Sequence, residues 1–260
     1  MKFPIFQVDA FTDSIFGGNP AAVVLLTNWL PDETMQSISM ENNLSETAFC
    51  VEKPDVFELR WFTPEVEVDL CGHATLATAH TLFTELGFKR NELKFDTKSG
   101  RLTVRKEEDW YVMNFPTSEM SKVEAPPILF QALGINPISE VYKTDDYMVV
   151  MENEEQIEDL EPDFKFLKEV DARGIIVTAP GDNVDFVSRF FAPQVGIDED
   201  PVTGSAHTKT TPYWAKRLGK NVLSALQLSK RVGTLQLSYL GDRIEMKGNA
   251  VTFLKGEIII

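Results

Sequence analysis

The sequence is short of cysteine, of basic residues and of long apolar runs. Its 260 residues include only two cysteines, Cys50 and Cys71, which are too few for a disulfide framework or a cysteine-based zinc set. Lysine and arginine total 25 against 40 acidic residues, and the net charge of −15 leaves no basic stripe for a nucleic-acid backbone. The longest apolar run, near residues 21–26, is too short to cross a bilayer, and the first residues form no apolar signal segment. The composition therefore predicts a cytoplasmic protein without nucleic-acid or membrane partners.

What the chain does contain is an internal repeat. Residues 60–69 and 189–198 match in step, each with arginine, an aromatic residue, phenylalanine, proline, valine and a final aspartate. Each stretch then leads to a turn of small residues, Gly72-His73-Ala74 in one copy and Gly204-Ser205-Ala206 in the other. The copies lie about 130 residues apart, far above the period of a solenoid or propeller. The repeat therefore indicates two related domains of about 120 to 130 residues each.

The hydrophobic pattern predicts many strands and two long helices. A helix over 73–86 is small or apolar nearly all round and stops at Gly87, which is typical of a buried helix with a glycine cap. A second helix, over 203–218, is unusually polar, and we expect Lys209 in it to extend its amine to a wet edge. Shorter helices are predicted over 33–41 and 128–133, and strands over 3–11, 21–26, 47–51, 56–62, 93–96, 102–105, 111–115, 141–144, 148–152, 175–178 and 184–191.

Both glycine turns precede a predicted helix, where the first N–H groups have no partner within the helix. Those groups and the positive end of the helix dipole suit a carboxylate, and glycine lets a ligand approach the backbone. Either turn alone could be an ordinary helix start, but their duplication favours a binding role. Related by a pseudo-twofold axis, the two turns are expected to face one cleft between the domains.

Three ionisable residues accompany the turns. Asp200 precedes the second turn, where the helix field keeps it ionised or where it caps the helix. His73 lies in the first helical turn, whose field disfavours the imidazolium form and predicts a neutral ring, although a lone histidine is more often structural. Glu46 begins an apolar strand, and apolar surroundings favour a protonated carboxyl group, which suits a group that takes a proton from carbon and returns it. An exposed glutamate at a strand end is the alternative for Glu46.

Four motifs carry a resemblance to a known family. They are Asp9-Ala10-Phe11-Thr12 with Gly18-Asn19-Pro20, Asn43-Leu44-Ser45-Glu46-Thr47, Arg60-Trp61-Phe62-Thr63-Pro64 with Gly72-His73-Ala74, and Asp200-Pro201-Val202-Thr203-Gly204-Ser205. In this order, and over essentially the whole chain, the sequence resembles the phenazine-biosynthesis isomerase (PhzF-like) family, whose fold is that of diaminopimelate epimerase.

The resemblance implies an α+β fold of two pseudo-symmetric domains, each a β barrel-like wrap around one central helix. The first domain is expected over 1–117 and the second over 118–249, with the last strand, about 250–260, packing back on the first. The resemblance also implies a homodimer and chemistry that needs no cofactor or metal.

The same resemblance assigns roles to individual residues. Glu46 becomes the acid/base group that moves a proton between carbons of a small carboxylate-bearing metabolite. The supporting polar groups are His73, Asp200 and Ser205, the backbone clamp on the substrate carboxylate is Gly72 with His73 and Gly204 with Ser205, and Asn19 lines the cleft.

One departure and two alternatives remain at this level. Epimerases of this fold use one cysteine from each half as a two-base pair, but only Cys71 is near such a position here, which argues against racemisation by two thiols. A small-acid binding or damage-control protein with little catalysis would keep the same clamp. A purely structural or interaction protein is the third interpretation.

Overall fold

The computed structural model describes residues 1–138 and 140–260. The chain divides into two compact units. The first unit is made of Met1–Asn114 and Glu245–Ile260, and the second is Phe115–Ile244. The first unit is therefore built from both ends of the chain, whereas the second is one continuous segment.

Short strands and a few helices alternate along the chain. Up to residue 116 these are β1 (Lys2–Ala10), β2 (Asn19–Leu26), α1 (Asp32–Asn42), β3 (Glu46–Glu52), β4 (Phe57–Phe62), β5 (Glu67–Val68), α2 (Gly72–His80), β6 (Glu92–Thr97), β7 (Gly100–Glu107) and β8 (Trp110–Pro116). They continue with β9 (Ser121–Lys122), α3 (Pro127–Leu133), β10 (Val141–Lys143), β11 (Asp146–Val150), α4 (Glu154–Glu158), α5 (Phe164–Leu167), β12 (Gly174–Pro180), β13 (Phe186–Phe191), α6 (Gly204–Leu218), β14 (Val222–Gln227), β15 (Gly233–Tyr239), β16 (Arg243–Gly248) and β17 (Ala250–Ile259). Within the described residues, no helix is both long enough and apolar enough to cross a membrane.

The first unit is organised around an extended mixed sheet. Strand β1 pairs antiparallel with both β17 and β2, and β2 runs parallel to β3, with Ala21 opposite Glu46. Strand β4 is antiparallel to β3 and parallel to β6, and β7 and β8 continue the sheet in antiparallel steps. The apolar runs of β2 and β3 are buried nearly throughout, as expected for strands covered on both faces.

Helix α2 is the buried helix of the first unit. All of its residues except Gly72 are buried, and it packs against β1, β2, β3 and β17. Three alanines along it, Ala74, Ala77 and Ala79, leave room for the strands to approach the helix backbone. The predicted helix over 73–86 is found, but its last turn, Thr81–Glu85, is π-helical because the Leu86 N–H donates to the Thr81 carbonyl.

The strand pairings of the second unit repeat those of the first. From β10 to β15 the consecutive pairs are antiparallel, parallel, antiparallel, parallel and antiparallel. The series β1, β2, β3, β4, β6 and β7 has the same alternation. The architecture is thus a mixed α and β fold with extensive sheet, and its two units share a topology, in agreement with the repeat in the sequence.

The two arginines of the repeat, Arg60 and Arg189, make equivalent contacts in the two units. Arg60 donates two hydrogen bonds to Glu67, of 2.7 and 2.8 Å, and its guanidinium lies 5.2 Å from the centre of the Phe62 ring. Arg189 donates two to Glu199, of 2.7 and 3.1 Å, and lies 5.0 Å from the Phe191 ring. A planar guanidinium suits both contacts, so each arginine fixes the loop that follows its strand.

Helix α6 contains the buried polar residues that the sequence indicates, but the prediction for Lys209 is wrong. Its side chain is only 4% exposed and pairs with Asp145 and with the fully buried Asp146 at the start of β11. The amine does not reach toward solvent because a carboxylate is available to it inside the unit. A buried ammonium group needs such a partner.

His207, in the second turn of α6, is a histidine whose protonation opposes folding. It has no exposed surface, its Nδ1 donates to the Thr203 carbonyl over 2.9 Å, and its ring lies 6.0 Å from that of Phe186. Burial lowers the pKa of His207 to about 4, although the hydrogen bond to Thr203 acts in the opposite direction.

We expect the protein to lose stability through His207 as the pH falls from about 6.5 to about 4. The unfolded chain binds the proton near its ordinary pKa while the folded chain does not, so acid favours the unfolded state throughout this window. The full loss is roughly 3 kcal/mol in the free energy of unfolding. Urea denaturation at both ends of the window should show a smaller decrease for H207Q than for the wild type. Equal decreases in the two proteins would contradict this role for His207.

Candidate active site

Glu46 is held at the first position of β3 by the way α1 ends. Asn43 takes a left-handed conformation, with φ 49°, and its N–H closes the helix on the Ser39 carbonyl. The Asn42 side chain then donates to the Thr47 hydroxyl over 3.0 Å. These two contacts fix the entry to β3 on both sides of the short connection, and therefore the direction in which Glu46 leaves the backbone.

Glu46 and His73 face each other in the interior of the first unit. Glu46 Oε2 lies 3.1 Å from His73 Nε2, and the two side chains are only 13% and 6% exposed. The approach lacks the angle of a hydrogen bond, and among the described residues nothing donates one to this buried oxygen. Glu46 Oε2 is therefore close to the imidazole ring and accepts no hydrogen bond from the described residues.

The other side of the His73 ring is held by two neighbours. Asn19, the first residue of β2, has its side-chain nitrogen 3.2 Å from Nδ1, and Cys71 has its sulfur 3.6 Å from the same atom. With the amide nitrogen beside Nδ1, this contact favours the tautomer whose ring proton lies on Nε2, on the side of Glu46. All three residues that contact His73 are buried or nearly so.

The groups around His73 act on its pKa against the helix field that the sequence analysis considered. Burial alone would lower the pKa of His73, but the Cys71 sulfur and the Glu46 carboxylate outweigh it and hold the pKa well above its usual value. Burial also raises the pKa of Cys71 to about 11, so this thiol is protonated at neutral pH. Glu46 is therefore the charge that favours the imidazolium form. The neutral ring stays a prediction: the Asn19 amide beside Nδ1 fits a ring that accepts there, whereas the Glu46 carboxylate, 3.1 Å from Nε2, acts toward the imidazolium form.

The start of α2 completes this cluster. Cys71 is the extended residue that precedes the helix, and Gly72 and His73 are its first two residues. The Thr75 hydroxyl and the Thr75 N–H both donate to the Cys71 carbonyl, which fixes the turn. The structure thus brings Asn19, Glu46, Gly72 and His73 together, and it adds Cys71.

Asp200 lies in a separate braced turn of the second unit. Its carboxylate accepts a hydrogen bond of 2.5 Å from the hydroxyl of Thr203, the residue that precedes α6. Gln227 joins the two ends of this turn, since its side chain accepts from the Thr203 N–H and donates to the Asp200 carbonyl. The turn that presents Gly204 is therefore held by side chains from two directions.

Ser205, the second residue of α6, is held by an arginine. Arg173 Nη2 donates to the Ser205 hydroxyl over 3.1 Å, and the same guanidinium pairs with the buried Asp146. Asp200, Gly204 and Ser205 thus lie around the start of one helix, as the sequence predicts, inside the second unit.

Cys71, Asp146 and Arg173 were not assigned a role from the sequence. Cys71 stands directly before a predicted motif, so its proximity to His73 could have been anticipated. Asp146 and Arg173 carry no such signal, because they are 27 residues apart and meet only through the parallel pairing of β11 with β12.

Comparison with known proteins identifies the family of this chain. The family described as phenazine biosynthesis-like protein matches residues 8–256. The chain belongs to this family. It is 53% identical, over 258 residues and 99% of both chains, to a Pseudomonas aeruginosa protein named an uncharacterized isomerase. The crystal structure of a PhzF-family phenazine biosynthesis protein from Enterococcus faecalis is 48% identical, covers all of both chains and superposes with a TM-score of 0.97.

The family match extends to the fold and to the type of enzyme. A hydroxyproline epimerase from Agrobacterium vitis shares the fold alone, with a TM-score of 0.62 at 9% identity over 99% of this chain and 92% of that one. The family model and the similar proteins from Pseudomonas aeruginosa and Enterococcus faecalis confirm the PhzF-like resemblance. With relatives named as isomerases, this member of the family is an enzyme of the isomerase type, as predicted.

Proposed function

We propose that the protein is a cofactor-independent isomerase of a small carboxylate-bearing metabolite, in which Glu46 moves a proton from one carbon to another. The observation that carries this proposal is the Glu46 oxygen, which is buried, accepts no hydrogen bond from the described residues and lies 3.1 Å from His73. A carboxylate with a free lone pair in a mostly apolar interior suits proton abstraction from carbon better than one saturated with donors.

The reaction would conserve protons. Glu46 Oε2 takes a proton from the first carbon, and the electron pair of the broken C–H bond shifts along the conjugated system of the substrate. Glu46 then returns the proton to the second carbon, which regenerates the carboxylate. We assign His73 a supporting role in both steps, since its Nε2 lies 3.1 Å from Glu46 Oε2, beside the developing charge.

The backbone at the start of α2 is the proposed anchor for the substrate carboxylate. The N–H groups of Gly72 and His73 belong to the first turn, where the helix dipole favours an anion. Asn19, within reach of His73 Nδ1, would both line the site and orient the ring. In the second unit, we assign Asp200 and the α6 start at Gly204 and Ser205 the same supporting roles in holding substrate.

The test is isomerisation with entry of solvent deuterium. Small acids that stay with the protein through purification are identified by mass spectrometry and then incubated with it in deuterated water. We expect one of them to rearrange and to gain deuterium at the carbon that receives the proton. Tight binding of a small acid without rearrangement or deuterium entry would instead identify a binding protein and contradict the isomerase proposal.

Three further expectations belong to this proposal. We propose that each unit wraps its sheet around its long helix, which the burial of α2 and of most α6 residues between 206 and 215 supports. We also propose a homodimer, on the basis of the family resemblance, and a cytoplasmic location, on the basis of composition. Light scattering during size-exclusion chromatography tests the dimer directly.

A further inference from the structure

We propose that Glu46, Cys71 and His73 form a binding site for a thiophilic divalent cation such as Zn²⁺, and that the cation inhibits the enzyme reversibly. The binding part of this inference rests on geometry alone. The inhibition part rests on the proposed function, because the cation would occupy the oxygen that takes the proton.

The three side chains are close enough together to bind one ion after a side-chain adjustment. Each offers one ligand atom, and these atoms all lie within 4.8 Å of one another. His73 Nε2 is 3.1 Å from Glu46 Oε2 and 4.0 Å from Cys71 Sγ. A tetrahedral zinc ion holds such atoms roughly 3.3 to 3.7 Å apart. Cys71 Sγ lies 3.6 Å from Nδ1 and 4.0 Å from Nε2, so the Cys71 side chain would have to rotate toward Nε2 to complete the coordination.

The set of donor atoms selects the class of metal. One sulfur, one imidazole nitrogen and one carboxylate oxygen make a mixed set that favours Zn²⁺ or Cd²⁺ over Mg²⁺ and Ca²⁺, which prefer oxygen ligands. Three protein ligands leave a fourth position for water. Glu46 Oε2, which accepts no hydrogen bond from the described residues, would be a ligand of the metal.

Asn19 is placed to support the metal-bound form of His73. A cation on Nε2 moves the ring proton to Nδ1, which faces the Asn19 side chain at 3.2 Å. Rotation of that amide by half a turn presents its oxygen as the acceptor, and amide orientation is set by the surrounding hydrogen bonds. Metal-bound histidines usually have a partner of this kind on the second nitrogen.

Binding and proton transfer would exclude each other. The cation takes the lone pair of Glu46 Oε2, and the Cys71 thiol releases its proton to solvent as the sulfur coordinates. Neither change alters covalent structure, so a chelator should restore the active form. The same carboxylate would thus serve as base in the metal-free protein and as ligand in the metal-bound one.

The experiment uses the full chain, freed of metal by a chelator and dialysed, with Cd²⁺ and Zn²⁺ as probes and without substrate. We expect one ion per chain and a thiolate-to-cadmium absorption band. C71S should lose the band and weaken Zn²⁺ binding beyond the roughly 10- to 100-fold cost of an outer-shell change. The matched control is C50S, which removes the other buried thiol, in β3. Circular dichroism checks that both variants fold, and C71A and C50A replace any that does not.

The outcomes separate the metal site from the proposed function. Absence of a band in the wild type, or equal loss of binding in C71S and C50S, would overturn the site. Turnover measured with chelator present tests the role of Glu46 without any metal. If Zn²⁺ added to the chelator-free protein binds as described but leaves turnover unchanged, the inhibition is wrong and the binding site stands.

Discussion

E46Q is expected to reduce turnover by about 10²- to 10⁴-fold, the range that a positioned acid/base group contributes. Glutamine keeps the shape of the side chain at the start of β3 but cannot accept a proton from carbon. Because the carboxylate lies 3.1 Å from His73 inside the first unit, solvent would not easily replace it as base. The measurement is the rate of deuterium entry into the substrate in deuterated water, with chelator present.

Glu52 provides a matched control for this variant. It is the last residue of the same strand, and it is exposed, whereas Glu46 is the first. E52Q removes the same charge from β3 and is expected to leave turnover within about twofold of the wild type. Full turnover by E46Q, or an equal loss in E46Q and E52Q, would show that Glu46 is not the base. Retention of substrate binding by E46Q separates a loss of chemistry from a loss of affinity.

The local features of the first unit were predicted well because residues close together in the sequence specify them. The strand 47–51 and the helix that begins at the Gly72 turn are signalled by apolar period and by glycine, and both are found. Only the family motifs indicated that Glu46 and His73 belong to the same site, and the distance between them could not be predicted. That distance is set by the packing of α2 on β2 and β3, which no local pattern specifies.

Sequence reasoning is weakest where a charge meets a partner that is distant in sequence. Lys209 was expected at a wet edge because a lysine on a polar helix usually reaches water. It is buried because Asp146, 63 residues earlier, lies beside it. His73 was expected to be neutral from the field of its own helix, and the Glu46 carboxylate of β3 acts against that field. In both cases the opposite charge comes from a strand rather than from the helix itself, so the local sequence does not show it.

The buried ion cluster of the second unit gives the largest expected effect on stability. Asp146 has no exposed surface and accepts hydrogen bonds from Arg173 and Lys209, and Lys209 is itself only 4% exposed. D146N keeps the side-chain volume but removes the charge that both cations face. Removal of one partner from a buried ion pair typically costs 3–5 kcal/mol, so we expect the free energy of unfolding to fall by about that amount. Urea denaturation monitored by circular dichroism measures the change.

Asp145 is the matched control because it is adjacent, has the same charge and also contacts Lys209 and Arg173, yet its side chain is 55% exposed. Solvent screens this carboxylate, so D145N is expected to cost about 1 kcal/mol or less. Equal costs for D145N and D146N would show that burial of Asp146 is not what stabilises the cluster. The double variant D146N/K209M should recover part of the loss, since it removes the buried ammonium together with its partner. Because Arg173 also holds the Ser205 hydroxyl, a destabilised cluster is expected to loosen the start of α6 as well.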